Sequence, residues 1–335
     1  MLKDKHGRTI DYLRISVTDR CDLRCISCMP PDGVLPLSHS DILRFEEIEA
    51  IVKAGTELGI RSARLTGGEP LARLGAVALA KKLCRITGLD LALTTNGIQF
   101  AQQAEALLDA GVRRVNFGIP SLDSVKYRST TRHGNLSDAL GGLERAIRLG
   151  FSPIKINVVV MRGINDGLAD LRQFAALASE KPVHVRFIEY MPIGDARHAE
   201  YFVTSADIKQ SLKVAMVDLA SLPPADISGQ FQSVKMPGAG PAKDAWRPPG
   251  WPGSLAVISP MTGHICEQCN RLRLTADGHL RPCLFSKREI SLKSALRPLV
   301  DVEHLKSLFL EAAANKPPSV FETSDFGRKM SQIGG

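Results

Sequence analysis

Six of the seven cysteines fall into two groups of three, a pattern that points to metal ligation rather than to a disulfide framework. Cys21, Cys25 and Cys28 form a C-x3-C-x2-C run, and Cys266, Cys269 and Cys283 form a second triplet near the other end of the chain. The odd count, in a chain whose first twenty residues contain no apolar leader segment, also argues against disulfides. An iron–sulfur cubane normally takes four thiolates, one per iron. Three thiolates within eight residues can hold three irons and leave the fourth open. A zinc site short of one ligand is the alternative for the first triplet. For the second it is a Cys3His zinc site completed by His264 or His279.

The charge balance points to an anionic partner. Lys and Arg number 43 against 35 Asp and Glu, a net charge of +8, and the arginines are scattered singly or in pairs. Nucleic acid calls for a dense basic stripe with interleaved aromatics. Aromatics are only 5% here, so a small polyanion such as a nucleotide fits better. No apolar run approaches the ~18–20 residues that cross a bilayer. The expected compartment is the cytoplasm.

These residues must be positioned by an α/β framework. Candidate strands at Tyr12–Val17, Ser62–Thr66, Leu91–Thr95, Arg113–Ile119, Pro153–Val160 and Val183–Tyr190 are rich in Ile, Val and Leu with little alternation, as in parallel strands covered on both faces. Helical patterns lie between them at Phe45–Leu58, Ala76–Ile86, Ala101–Ala110, Ser137–Leu149 and Leu168–Ser179. Six βα units in series imply right-handed crossovers and a parallel sheet two strands short of a closed barrel, hence a partial (β/α)6 barrel open on one side. The first triplet then sits on the loop at the C-terminal end of the first strand, the edge where such sheets bind ligands. Gly67-Gly68-Glu69-Pro70 closes the second strand, where glycines allow close approach of backbone to a ligand.

The chain divides into a barrel over 1–222, a Pro/Gly-rich linker or loop over 223–253, and a C-terminal cluster-binding part over 254–335. The last includes an extended Ser254–Ser259, a hairpin turning at Ala276–Gly278, and helices near Ser291–Leu296 and Val302–Ala314. Seven prolines and five glycines between Pro223 and Gly253 argue against a regular helix or central strand there. Cys84, within a helical pattern, reads as an apolar filler.

The C-x3-C-x2-C motif after strand one, followed by Gly67-Gly68-Glu69-Pro70, resembles the radical S-adenosylmethionine superfamily. The run from Cys269-Asn270-Arg271-Leu272-Arg273-Leu274 to Arg281-Pro282-Cys283 resembles the second-cluster segment of the GTP 3′,8-cyclase family, the A proteins of molybdenum-cofactor biosynthesis. Leu13–Cys21, Arg64–Pro70, Leu93–Gly97, Lys155–Val159, Gly163–Asp166, Arg186–Met191 and the terminal Gly334-Gly335 match the same family in order.

The resemblance implies two [4Fe-4S] clusters on the two triplets and S-adenosylmethionine as cofactor, contacted by Ser27, Gly68, Glu69, Gly118 and Met191. It implies GTP as substrate, held by Arg14, Arg64, Thr94, Lys155, Arg271, Leu272 and Arg273. Arg271, Arg273, Gly334 and Gly335 take catalytic roles. It also implies an electron donor, a downstream cyclic pyranopterin monophosphate synthase and a homodimer, with no membrane or nucleic acid partner. Ser27 stands where the superfamily has an aromatic residue, and Gly118 where the family has a serine, departures that predict weaker cofactor binding. Another two-cluster radical enzyme, or a diverged paralogue that binds clusters and nucleotide without turnover, are the competing readings.

Overall fold

Apolar strands alternating with amphipathic helices build the first two-thirds of the protein. The structure, a computed structural model, describes residues 1–193, 198–216, 232–233, 244–263, 265–319 and 328–334. In chain order the repeating elements are β1 (Tyr12–Ser16), α1 (Phe45–Glu57), β2 (Ser62–Thr66), α2 (Ala76–Cys84), β3 (Asp90–Thr95), α3 (Phe100–Asp109), β4 (Arg114–Gly118), α4 (Ser124–Thr131), α5 (Leu136–Arg148), β5 (Ile154–Val160), α6 (Leu168–Glu180) and β6 (Val183–Glu189). Then come α7 (His198–Tyr201), α8 (Ser205–Met216), β7 (Gln232–Ser233), β8 (Asp244–Arg247), β9 (Ser254–Ile258), β10 (Arg271–Leu274), β11 (His279–Arg281), β12 (Ile290–Ser291) and α9 (Val302–Ala314).

The helices bury the stripe that their spacing sets. In α1 this is Ile48, Ile51 and Val52, and in α5 it is Leu136, Ala139, Leu143 and Ala146. The same core takes the outward face of the strands, for example Ile154, Ile156, Val158 and Val160 of β5. Strands β1 to β6 pair in sequence order, all parallel. β10 adds parallel to β1 and β9 parallel to β6, so segments from the C-terminal part flank the six on both sides. The sheet runs β12-β11-β10-β1-β2-β3-β4-β5-β6-β9-β8-β7 and is open between its end strands. This is the expected partial barrel, with the second cysteine region joined directly to its edge. No described helix is long and apolar enough to cross a membrane.

Three expectations change. The helix near Ser291–Leu296 is the end of strand β12 followed by one 3-10 turn, Lys293–Ala295. Within the Pro/Gly-rich 223–253, Asp244–Arg247, which is free of proline, adds to the sheet antiparallel to β9, and Gln232–Ser233 adds antiparallel to Asp244–Arg247. Residues 223–231 and 234–243 lie outside the described residues. Helix α4 falls where the sequence pattern gave none, and its Asp123 cap accepts from Lys126 N at 2.9 Å.

Candidate active site

The first cysteine loop is tied at several points by backbone hydrogen bonds. Arg24 N and Ile26 N donate to Thr131 O and Thr130 O at the end of α4, both at 3.0 Å. Cys28 N and Met29 N fold back onto Cys25 O at 2.9 and 3.1 Å, which makes the turn that carries half-exposed Ser27. Arg132 is the one non-glycine with positive φ among the described residues, at 66°. Its Nη1 donates to Arg24 O at 2.7 Å and Met29 O at 3.1 Å, bracketing Cys25 and Cys28. On the other side Gly68 N and Glu69 N donate to Thr18 O and Arg20 O at 2.7 and 2.8 Å.

A Cβ on Gly68 would stand 2.1 Å from Arg20 O, so glycine here lets the loop before Cys21 lie against the end of β2. Glu69 is fully buried and accepts from Leu71 N, Thr95 Oγ1 and Asn96 N at 3.0, 2.9 and 2.7 Å. Burial raises its carboxyl to about 7 despite those donors. Gly118, at the end of β4, has room for a side chain, since its nearest neighbour to a Cβ is Thr95 O at 3.9 Å.

The chemistry of the donor set fits a cluster. Burial pushes the Cys25 and Cys28 thiols up to about 12, and Cys21 is raised by burial and by its two sister thiols. Such thiols become thiolates when a cationic centre supplies the missing charge. None of the cysteines is in a disulfide. Among the described residues no three His, Cys, Asp or Glu converge as single-ion ligands; a cubane spreads its thiolates over separate irons.

The second triplet is assembled by hairpin register. Cys266 lies within one 3-10 turn, Ile265–Gln268, and Cys269 directly follows it, with Cys269 N on Cys266 O at 3.1 Å, just before β10 begins. Arg281 of β11 pairs with Arg273, so the antiparallel return brings Cys283 level with Arg271, two residues from Cys269. Burial raises the Cys269 thiol, but Lys316 and Arg271 more than offset this and hold it below its usual range. These groups again fit an anionic cluster. Cys266 and Cys283 pack with Met191, Met330 and Ile333 in a small apolar cluster, so Met191 lies beside the second triplet. The His279 ring nitrogen Nδ1 is 3.3 Å from Asp277, and His264 lies outside the described residues.

Between the triplets runs a layer of cations. Register aligns Arg273 of β10, Arg14 of β1 and Arg64 of β2 in one row, and Arg271 with Tyr12 in the row below. Because successive strand residues alternate faces, Leu272 points the other way, into the apolar core beside Leu13. Only its backbone is available to the site. Arg64 donates from Nε to Tyr12 OH at 2.6 Å and from Nη1 to Thr94 Oγ1 at 3.4 Å.

Lys155 of β5 is buried, and burial with Arg186, Arg64 and Arg114 nearby lowers it to about 6. Burial and Arg273 push Arg14 well down, and burial with Arg64 and Arg271 brings Arg186 to about 9. Burial works against ionisation of Tyr12, but Arg64, Arg14 and Arg271 outweigh it and bring the phenol to about 8. Arg186 Nε and Arg271 Nε are buried without a hydrogen-bond partner among the described residues. A concentration of positive charge with orphaned guanidinium donors is a receptor for a polyanion.

The chain terminus enters the same space. Arg273 Nη1 donates to Gly334 O at 2.6 Å, and Gly334, with φ of 70°, approaches Thr66 so closely that a Cβ would lie 2.4 Å from its Oγ1. Gly335 lies outside the described residues. The triplets sit at opposite ends of the barrel, since Cys21 follows the C-terminal end of β1 and Cys269 precedes the N-terminal end of its parallel neighbour β10. The rows from Tyr12 to Ser16 that separate them span about 13 Å at ~3.3 Å per residue.

Sequence reasoning brought together Arg14, Arg64, Thr94, Lys155, Arg271 and Arg273, but it gave no role to Tyr12, Arg132 or Lys316. Arg186 it noted only within a matching stretch. The period-2 pattern of the strands was the available signal for Tyr12 and Arg186, which share the inward face.

Comparison with known proteins gives the same picture. Residues 15–175 match the Radical SAM superfamily model and residues 183–322 the Molybdenum Cofactor Synthesis C model. The GTP 3′,8-cyclase of Petrotoga mobilis is 45% identical over 99% of both chains. That of Thermodesulfovibrio yellowstonii is 43% identical over the full length of both. Streptococcus suis SuiB bound to S-adenosylmethionine shares the fold, with a TM-score of 0.61 and 12% identity over 87% of this chain and 65% of that one. With full-length relatives at this identity, and both family models on one chain, the protein belongs to the GTP 3′,8-cyclase family of the radical S-adenosylmethionine superfamily.

Proposed function

We propose that the protein rearranges GTP to 3′,8-cyclo-7,8-dihydro-GTP, the first step of molybdenum-cofactor biosynthesis, using two [4Fe-4S] clusters and S-adenosylmethionine. The observation that carries this reading is the layer of buried cations lying between two cysteine triplets in one barrel. When bound, the first cluster and S-adenosylmethionine would supply the radical chemistry that removes hydrogen from ribose C3′ and lets C3′ bond to guanine C8, with one electron from the external donor and one proton completing the dihydro product.

The chain's own residues bind, orient and shield. Cys21, Cys25 and Cys28 would hold the first cluster, with Ser27, Gly68, Glu69 and Gly118 around the cofactor, whereas Met191 packs with the second triplet. Cys266, Cys269 and Cys283 would hold the second, and three thiolates would leave one of its irons without a protein ligand. Arg14, Arg64, Thr94, Lys155 and Arg186 bind the triphosphate. Arg271 and Arg273, with Leu272 contributing backbone, orient the nucleotide, and Gly334 and Gly335 close the site from the tail. Each charge-assisted hydrogen bond contributes about 1.5–3 kcal/mol, so several cations hold a triphosphate firmly. The buried apolar strand faces and covering helices keep bulk water from the radical.

The barrel over 1–222 and the cluster-bearing part over 254–335 supply the two halves of this site. A cytoplasmic homodimer, served by an electron donor and followed by cyclic pyranopterin monophosphate synthase, completes the reading. Anaerobic turnover with GTP, S-adenosylmethionine and reductant gives deoxyadenosine and the cyclic nucleotide in equal amounts. Retention of clusters and GTP binding without cofactor cleavage would identify a non-catalytic relative, as the departures at Ser27 and Gly118 allow.

A further inference from the structure

Beyond the cysteines, one cation contacts the second triplet from outside its loops. Lys316 follows helix α9 and is only 3% exposed. Its ammonium donates to Arg271 O at 2.7 Å and Pro282 O at 2.8 Å, and its charge helps hold the Cys269 thiol below its usual range. Those two partners are the residue two past Cys269 and the residue just before Cys283.

The same segment fixes the third ligand through Arg8. Arg8 donates from Nη2 to Pro317 O at 2.7 Å and from Nη1 to Cys266 O at 2.7 Å, and is neutralised by Asp4. No described ion pair includes Lys316. A buried ammonium needs anionic company, and the acidic group its charge acts on is the Cys269 thiol.

We propose that Lys316 is the positioning residue and charge partner of the second cluster. It clips the start of β10 to the residue before Cys283, and its positive charge favours the reduced, more negative state of the cluster those cysteines hold. Cluster potentials respond to net charge, hydrogen bonds to sulfur and solvent exposure, and Lys316 acts on the first of these. The proposal rests on the two-cluster reading above.

The test uses the full-length protein, reconstituted anaerobically, as wild type and as Lys316→Met, Lys316→Gln and Lys316→Arg. Iron content and an EPR-monitored redox titration are measured for each. The second-cluster signal is identified in a Cys21→Ser/Cys25→Ser/Cys28→Ser background. Lys316→Gln keeps a hydrogen-bond donor without the charge. In Lys316→Gln or Lys316→Met the expected result is an about tenfold lower ratio of reduced to oxidised second cluster at fixed potential, 59 mV for one electron. The first-cluster signal stays in place, and Lys316→Arg stays near wild type.

Loss of second-cluster iron in Lys316→Met, restored in Lys316→Arg, equally supports the proposal. An unchanged second-cluster potential in Lys316→Gln with full iron overturns it, as do equal shifts at both clusters. Wild-type protein that takes up no second cluster overturns the two-cluster reading itself, and the proposal with it.

Discussion

At the scale of single residues, the site is governed by charge held out of water. Lys155 shows this most directly, because its pKa of about 6 leaves the free amine mostly neutral at pH 7.5. A bound triphosphate stabilises the ammonium, so binding takes up a proton and strengthens as pH falls from 8 toward 6. Titration calorimetry in buffers of different ionisation enthalpy should report close to one proton at pH 7.5, and none in Lys155→Met. Zero uptake in the wild type would place Lys155 away from the phosphates.

Gly118 offers a test of opposite sign. It is not in the positive-φ region and its Cβ direction is open, so Gly118→Ser introduces a hydroxyl without strain. If this is the cofactor contact the family uses, S-adenosylmethionine should bind about 2–10-fold tighter, the value of one neutral hydrogen bond of ~0.5–1.5 kcal/mol. The thiols were legible in sequence because type and spacing mark them, and the individual arginines and Gly118 entered through the family resemblance. Arg132 and Lys316 were not, since they act through backbone carbonyls remote in the chain.

At the scale of elements, two devices fix the first cysteine loop, and each can be broken separately. Helix α4 meets it through Thr130, Thr131 and Arg132. Its sequence, Ser-Val-Lys-Tyr-Arg-Ser-Thr-Thr, is poor in strong helix formers and shows no apolar stripe, which is why the sequence pattern passed it over. The capping aspartate and the burial of Tyr127, Thr130 and Thr131 sustain it instead.

Arg132 tolerates a left-handed backbone that costs a non-glycine residue about 1–2 kcal/mol. Replacing it by Ala keeps that cost and loses both donors, whereas Arg132→Gly loses the donors and relieves the backbone. Both variants should retain less first-cluster iron, and Arg132→Gly should melt at the higher temperature of the two. The second device is Gly68. Gly68→Ala sets a Cβ against the Arg20 and Asp19 carbonyls, backbone that cannot rotate away, and should cost at least ~1–3 kcal/mol. A lower melting temperature together with weaker S-adenosylmethionine binding is the expected result, and a normal melt with normal binding would refute the close packing.

At the scale of the whole molecule, the C-terminal part is held to the barrel by strands and by charge. Glu47 of α1 is 2% exposed at its side chain and accepts from Arg297 Nε at 2.7 Å, across most of the chain length. Arg328 makes a paired contact with Asp277 at 3.0 and 2.9 Å that ties the tail to the hairpin turn.

Burial opposes ionisation of Glu47, but Arg297 and Arg44 with the Arg44 backbone N–H outweigh it and bring the carboxyl from 4.5 to about 2. A depressed carboxylate adds stability that is complete above its unfolded pKa and lost as pH falls through the folded value. Up to about 3 kcal/mol should therefore disappear between pH 4.5 and 2. Glu47→Gln should be less stable at pH 7 and show a flatter acid limb in denaturant titrations. A parallel displacement of the whole pH profile, with the acid limb intact, would contradict this.

The sequence by itself determined the repeating βα rhythm, the two cysteine triplets and the family, because apolar periodicity, thiol spacing and ordered motifs are all local properties of the chain. Tertiary structure alone decided where those features meet. Parallel addition of β10 to β1 sets the two triplets at opposite ends of a shared barrel and aligns Arg273, Arg14 and Arg64 in one row. Strand pairing over more than two hundred residues depends on which edges are left open and which faces can be buried. No local pattern in a chain encodes that.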